Sequence, residues 1–205
     1  MVYCTCFFLF ATALIPSFDA CTTVLVHHAT STSGAFLIAH SNDGDGDVPG
    51  ALSVVPRRNG SHAFYTKPGG YASMNEYGLT LAESTCSGIK FNRSGTGGTN
   101  IVELSNLCLS TTKTARACVK VMGNAAASKG YSDEAESLLV ADAMGEGWIF
   151  HVLADDTGKS AIWVAEPLEE RGVAVVSNAF TIREVKTHFL RSENLFSVAG
   201  GFQGK

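Results

Sequence analysis

The feature that most limits the fold of this chain is the place where its hydrophobic period changes. Alternating, β-rich segments occupy residues 22–83, and similar segments resume over residues 137–176. Between them, apolar residues recur at three- and four-residue spacing, which is the period of a helix. Two blocks of strands on either side of a helix pair predict an α+β fold with segregated layers, and they argue against βαβ alternation.

The predicted strands are short segments bounded by turn residues such as glycine, asparagine and aspartate. The first two are separated by a polar turn at 29–34, so we expect them to form a hairpin. The strands before the helices are predicted at 22–28, 35–40, 51–55, 61–66 and 79–83, and those after them at 137–141, 148–153, 160–165 and 173–176.

The two predicted helices are placed by their apolar faces and by the polar residues that could cap them. The first is expected to be capped by Thr99 and to carry its apolar face from Ile101 to Cys108. The second is expected to start at Thr111 or Thr112 and to close near Gly130.

The N-terminal segment has the pattern of an export signal. Residues 1–15 are almost wholly apolar, and this run is too short to cross a bilayer as a helix. The small residue Ala20 precedes Cys21, so we expect residues 1–20 to be removed and residues 21–205 to form the mature domain. A buried N-terminal strand or helix is the alternative. Removal of a signal predicts a secreted or endolysosomal protein without a membrane anchor.

Cysteines and sequons bear on the same question of compartment. The sequons Asn59-Gly60-Ser61 and Asn92-Arg93-Ser94 fit a secretory route and predict a glycoprotein. Four cysteines follow the signal, and two disulfides would be the ordinary pattern outside the cell. If one of the four is a nucleophile, at least one of the other three stays unpaired within the chain. These four are Cys21, Cys86, Cys108 and Cys118.

Composition excludes some classes of partner. The formal net charge of −4 provides no basic surface for nucleic acid or for an anionic membrane. The aspartates at 43, 45 and 47 lack the glycine and glutamate that a calcium loop needs at its sixth and twelfth positions. The histidines do not follow a zinc-binding spacing. We therefore expect no cofactor and no metal, and we leave open a homo-oligomer.

Cys21 could act as an N-terminal nucleophile. Cleavage after Ala20 would give Cys21 both a thiol and a free α-amine. In model peptides the pKa of a thiol is about 8.5 and that of an α-amine about 7.7–8.0, so the amine is partly neutral at physiological pH. It can then take the thiol proton, which is a recognised way to activate such a nucleophile. Pairing of Cys21 in a disulfide is the alternative.

Four motifs after residue 20 carry a resemblance to a known family. In order, they are Cys-Thr-Thr-Val-Leu-Val at 21–26, Leu-Ile-Ala-His-Ser-Asn-Asp at 37–43, Asn-Glu-Tyr-Gly-Leu at 75–79, and Val-Ser-Asn-Ala-Phe-Thr-Ile-Arg-Glu-Val at 176–185. With this order and spacing the chain resembles the cysteine-type dipeptidase A and secernin family of N-terminal-nucleophile (Ntn) hydrolases. The resemblance implies a four-layer αββα sandwich and hydrolysis of short peptides. Members are usually longer, so we expect the domain to continue beyond Lys205.

The resemblance also implies roles for individual residues. Cys21 aligns with the nucleophile, and Asp43 aligns with an acidic residue that contacts the terminal amine. Asn178 aligns with an asparagine whose side-chain amide helps to bind the oxyanion. Members tend to carry Arg or Lys three residues before the aspartate, where this chain has His40, whose charge depends on pH. A second polar contributor is expected among residues 83–85.

Less specific roles remain open for two of these residues, and other functions remain open for the chain. Loop capping is the alternative for Asp43, and a turn at a strand end is the alternative for Asn178.

The expected substrate is a dipeptide or another small amide, cleaved through an acyl-enzyme. An acylase or ceramidase-like amidase of the same fold is the second enzymatic interpretation. A catalytically idle, secernin-like binding or trafficking protein is the rival from another class.

Overall fold

The structure is a computed structural model that describes residues 21–42, 52–66, 72–86, 98–193, 195–198 and 201–204, the last two ranges by their backbone alone. Over these residues the chain is a sheet-rich α+β domain, as the sequence predicted. Its strands and helices follow the order of the predicted strand block, helix pair and second strand block.

The strands before the helices are β1 Thr22–Val26, β2 Leu37–Ser41, β3 Ser53–Val55, β4 Phe64–Thr66, β5 Ala72–Asn75 and β6 Thr80–Cys86. The helices are α1 Ile101–Thr111 and α2 Ala115–Lys129. The later strands are β7 Ala135–Ala141, β8 Gly147–Ala154, β9 Ala161–Pro167, β10 Val173–Ser177, β11 Leu190–Arg191, β12 Leu195–Val198 and β13 Gly201–Gly204. The sequence did not predict β5, β11, β12 or β13. The four residues of β5 include none of the β-branched types that favour strands.

An antiparallel sheet of eight strands, in the order β11-β9-β8-β7-β6-β5-β4-β3, forms the centre of the domain. Its strand β7 is buried at every position because both faces of the sheet are covered. One face packs against α1 and α2 through a core that includes Leu138, Phe150 and Trp163. Neither of the two described helices reaches the roughly 20 apolar residues that a membrane span requires.

The starts of both helices differ from the prediction. Asn100, not Thr99, caps α1, because Asn100 and Glu103 form a reciprocal capping box. The Thr99 hydroxyl instead donates to the Gly130 carbonyl oxygen at 2.9 Å. Helix α2 starts at a Thr114 cap, later than predicted, because residues 111–112 belong to the end of α1.

A three-stranded antiparallel sheet in the order β10-β1-β2 covers the other face of the central sheet. The predicted hairpin of β1 and β2 is confirmed. Leu25 and Val176 from this small sheet pack against Leu139 from the central sheet. On the outer face, Val173 and Val175 are about half exposed. The described residues therefore form three layers, and a second helical layer of an αββα sandwich is not among them.

Candidate active site

Cys21 lies at the beginning of the central strand of the small sheet. Its neighbour Thr22 pairs with Ser41 on β2 and with Ser177 on β10. The next residues in this register are Asn42 and Asn178, so both asparagines flank Cys21 at the same end of the sheet. The Thr22 amide donates to Ser41 Oγ at 3.2 Å, and the Thr22 and Ser177 hydroxyls lie 3.1 Å apart. These contacts hold the three strand ends together.

Ser84 joins this end of the small sheet to the central sheet. The side chain of Ser84 is fully buried, and its hydroxyl donates to the Cys21 carbonyl oxygen at 2.8 Å. The Ser84 Oγ in turn accepts the backbone N–H of Asn178 at 2.8 Å. A hydroxyl can donate one hydrogen bond and accept others, so one atom fixes Cys21 relative to Asn178.

The structure also distinguishes the three residues among which a second polar contributor was expected. The Glu83 side chain lies on the helix-facing side of β6, as that of Leu81 does, because alternate residues of a strand share a face. Thr85 contributes its carbonyl oxygen, which accepts the side-chain amide of Asn178. Ser84 is the one whose side chain reaches Cys21 and Asn178.

Asn178 adopts an uncommon backbone conformation. Its φ of 49° lies in the left-handed region, which asparagine tolerates better than most residues do. One of the two N–H groups on its side-chain amide is used by Thr85, so the other can serve as an oxyanion donor. The side-chain oxygen is buried and has no hydrogen-bond partner among the described residues. The Asn178 side chain therefore brings a second donor and an acceptor to this end of the sheet.

The thiol of Cys21 contacts a residue that the sequence did not single out. Its Sγ donates to Asn42 Oδ1 at 3.6 Å, which is within range for a sulfur donor. Alternation along β2 places Asn42 on the same face as Ile38 and His40, and this pattern could have identified it. Asn42 thus orients the half-buried thiol.

His40 is placed near Cys21, whereas Asp43 lies outside the described residues. His40 is the cross-strand partner of Thr23, which lies two residues beyond Cys21 on β1. Two residues along a strand span about 6.8 Å, so His40 lies one row away from the thiol on the same face of the sheet. This position suits an electrostatic role better than direct contact with the thiol.

The other three cysteines in the described ranges are poor candidates for a nucleophile. Cys108 and Cys118 form a disulfide that joins α1 to α2. Cys86 keeps its thiol, but only 3% of the residue is exposed, and burial raises the pKa of this thiol to about 12. A thiol that stays protonated is inert as a nucleophile. Cys21, half-buried and at a strand end, is the better candidate.

The remaining described surface offers little near this site. In the described ranges, no cluster of three or more His, Cys, Asp or Glu residues is placed to bind a metal ion. A groove of about 590 Å³ lies between α2 and the start of β9, with Asn124, Trp163 and Arg191 in its lining. It opens on the helix-covered side of the central sheet, opposite to Cys21.

Comparisons with known proteins do not assign the chain to a family. A scan against protein-family models finds no match, and a search of curated proteins finds no significant match. The function is therefore argued from the arrangement of these residues.

Proposed function

We propose that this chain carries the nucleophile of a secreted or lysosomal cysteine-type dipeptidase, an Ntn hydrolase with an αββα sandwich. The observation that carries the proposal is the convergence of Cys21, Ser84 and Asn178 at one end of the small sheet. Cys21 precedes β1, Asn178 follows β10 and Ser84 lies in β6, and two hydrogen bonds of 2.8 Å through Ser84 hold them together.

The proposed reaction starts from Cys21 as the first residue of the mature chain. Its α-amine takes the thiol proton, and the thiolate attacks the carbonyl carbon of the substrate amide. A C–S bond forms and the carbonyl oxygen becomes an oxyanion, to which the second N–H of the Asn178 amide donates. The C–N bond then breaks, and the leaving amine takes the proton from the Cys21 ammonium group. Water hydrolyses the resulting thioester and restores the thiol.

The described structure supports the compartment of this proposal in two ways. The disulfide between Cys108 and Cys118 is a bond that persists mainly in oxidising environments. The first sequon lies in a turn in which Asn59 is exposed, as a glycan acceptor must be. The second sequon, at Asn92, lies outside the described residues.

The first experiment tests processing and the nucleophile together. The full chain is produced through a secretory pathway, its N-terminus is sequenced, and it is assayed on a panel of dipeptides and N-acyl amino acids. We expect the mature chain to begin at Cys21 and to hydrolyse a dipeptide. Cys21→Ala should abolish hydrolysis, whereas replacing both Cys108 and Cys118 by serine should retain it, because their disulfide joins the two helices on the other side of the central sheet.

Alkylation gives a second measurement on the same protein. Iodoacetamide near neutral pH should label Cys21, whereas Cys86 should react only after unfolding because its thiol is buried and protonated. Preferential cleavage of N-acyl amino acids would favour the acylase or ceramidase-like alternative. An active chain that still begins at Met1, or full activity in Cys21→Ala, would rule out the mechanism. A correctly processed chain that cleaves nothing would favour the idle alternative.

A further inference from the structure

Two buried polar residues that the proposed reaction does not use lie beneath the segment that follows Asn178. Ser137 on β7 and His151 on β8 are cross-strand neighbours, and neither is exposed to solvent. The Ser137 Oγ lies 2.8 Å from His151 Nδ1. Burying polar groups is costly unless hydrogen bonds compensate, so the partners of this pair indicate what it does.

The imidazole of His151 accepts two backbone hydrogen bonds. The amides of Thr181 and Ile182 donate to its Nε2 at 3.0 and 3.1 Å. Because a backbone N–H only donates, Nε2 must present its lone pair and the ring proton must sit on Nδ1. Burial lowers the pKa of His151 to about 3, so the ring stays neutral and keeps this arrangement at physiological pH.

Ser137 continues the same series of hydrogen bonds. The Nδ1–H of His151 donates to the Ser137 hydroxyl, which in turn donates to the Ala179 carbonyl oxygen at 3.1 Å. Two side chains therefore hold backbone groups of residues 179, 181 and 182. These residues directly follow Asn178, at the point where β10 has ended and its sheet hydrogen bonds have stopped.

The geometry points to Ser137 and His151 as positioning residues that fix the segment 179–182 and, through it, the side-chain amide of Asn178. Ser84 and Thr85 hold Asn178 from one side, and the Ser137–His151 pair holds the chain that leaves it on the other. The expected effect of this pair on catalysis rests on the proposed function. Its effect on the position of the Asn178 side chain does not.

The kinetic test uses the full chain with Ser137→Ala and, separately, His151→Gln. An oxyanion contact is made mainly in the transition state, so both variants should lower kcat and leave KM nearly unchanged. The loss should be smaller than the roughly 10²–10³-fold loss expected on removing an oxyanion donor outright. In an Asn178→Ala background the same substitutions should have no further effect on kcat. A purely structural role would give the same loss in both backgrounds, and that result would overturn the proposal.

A matched control separates positioning from general destabilisation. Val152→Ala alters the residue next to His151 on β8, but its side chain packs on the opposite, helix-facing side of the sheet. This variant should lower thermal stability and keep kcat. If Val152→Ala reduces kcat as much as Ser137→Ala does, stability and not position is the cause.

An NMR measurement tests the positioning role of Ser137 and His151 without relying on activity. In ¹⁵N-labelled protein, Ser137→Ala and His151→Gln should shift the Asn178 side-chain amide and the backbone amides of residues 181 and 182. Val152→Ala should leave the Asn178 amide in place. An unshifted Asn178 amide in both variants would overturn the proposal. If the wild-type chain hydrolyses nothing but these shifts occur, the proposed function fails while the positioning role stands.

Discussion

Replacing Ser84 by alanine removes a single oxygen atom from the point where the two sheets meet at Cys21. Two hydrogen bonds are lost, one to the Cys21 carbonyl oxygen and one from the Asn178 amide, each of 2.8 Å. A typical intramolecular hydrogen bond contributes a net of about 0.5–1.5 kcal/mol. Cys21 and Asn178 are both only partly buried, so their freed groups are not left in a fully buried site. The expected loss in the free energy of unfolding is therefore about 1–3 kcal/mol in total.

Such a loss is measurable by thermal unfolding. For a domain of this size, 1 kcal/mol corresponds to about 2–4 °C in Tm, so Ser84→Ala should lower Tm by roughly 2–12 °C. The same substitution disconnects Asn178 from Cys21, and a small misplacement of catalytic groups can cost up to about 10²-fold in rate. We expect kcat for the dipeptide substrate to fall by about 10- to 100-fold.

Ser105→Ala is the matched control for this substitution. Ser105 is also a buried serine, on α1, but its hydroxyl has no hydrogen-bond partner among the described residues. Removing its oxygen breaks no hydrogen bond and relieves the cost of burying a polar atom, so Tm should not fall and kcat should stay at the wild-type value. If Ser84→Ala behaves as Ser105→Ala does in both assays, the bridging role of Ser84 is refuted.

Three further predictions concern stability and pH. Burial and the neighbouring Glu83 carboxyl raise the pKa of Glu136 well above the usual carboxyl range, so the folded state keeps a proton at pH values where the unfolded state loses it. The contribution of Glu136 to the free energy of unfolding is therefore complete below about pH 4.5 and is lost as the pH rises from there. Glu136→Gln should raise Tm more at pH 8 than at pH 4. An equal change at both pH values would contradict the raised pKa. Replacing Cys108 and Cys118 by serine should lower the free energy of unfolding by about 2.7 kcal/mol, which is the loop-closure entropy for cysteines 10 residues apart, and should leave kcat unchanged. An unchanged midpoint of urea unfolding would contradict this prediction. His40→Arg keeps a positive charge at every pH, so it should extend activity toward higher pH; an unchanged pH profile would show that His40 lies outside the reaction.

The sequence by itself determined the elements of this fold and the identity of its candidate nucleophile. Strand and helix positions depend on a local alternation of apolar and polar residues, and most predicted elements appear within a few residues of their place. Cys21 could be singled out because the apolar run before it and the chemistry of an N-terminal thiol are both local features. The misplaced starts of the helices have a local cause too, since Thr99 and Asn100 are both plausible caps and only the hydrogen bonds distinguish them.

Only the tertiary structure decided which residues share the site. Ser177 meets Thr22 across 155 residues of sequence, and no local pattern specifies that β10 pairs with β1. Ser84 connects Cys21 and Asn178 because the small sheet packs over β6. That packing arises from the burial of apolar residues on the facing sides of the two sheets. A histidine can serve as a metal ligand or as a catalytic base, but the complete burial of His151 and two backbone donors make it a neutral hydrogen-bond acceptor. The sequence supplies the functional groups, and the packing of the two sheets determines which of them meet.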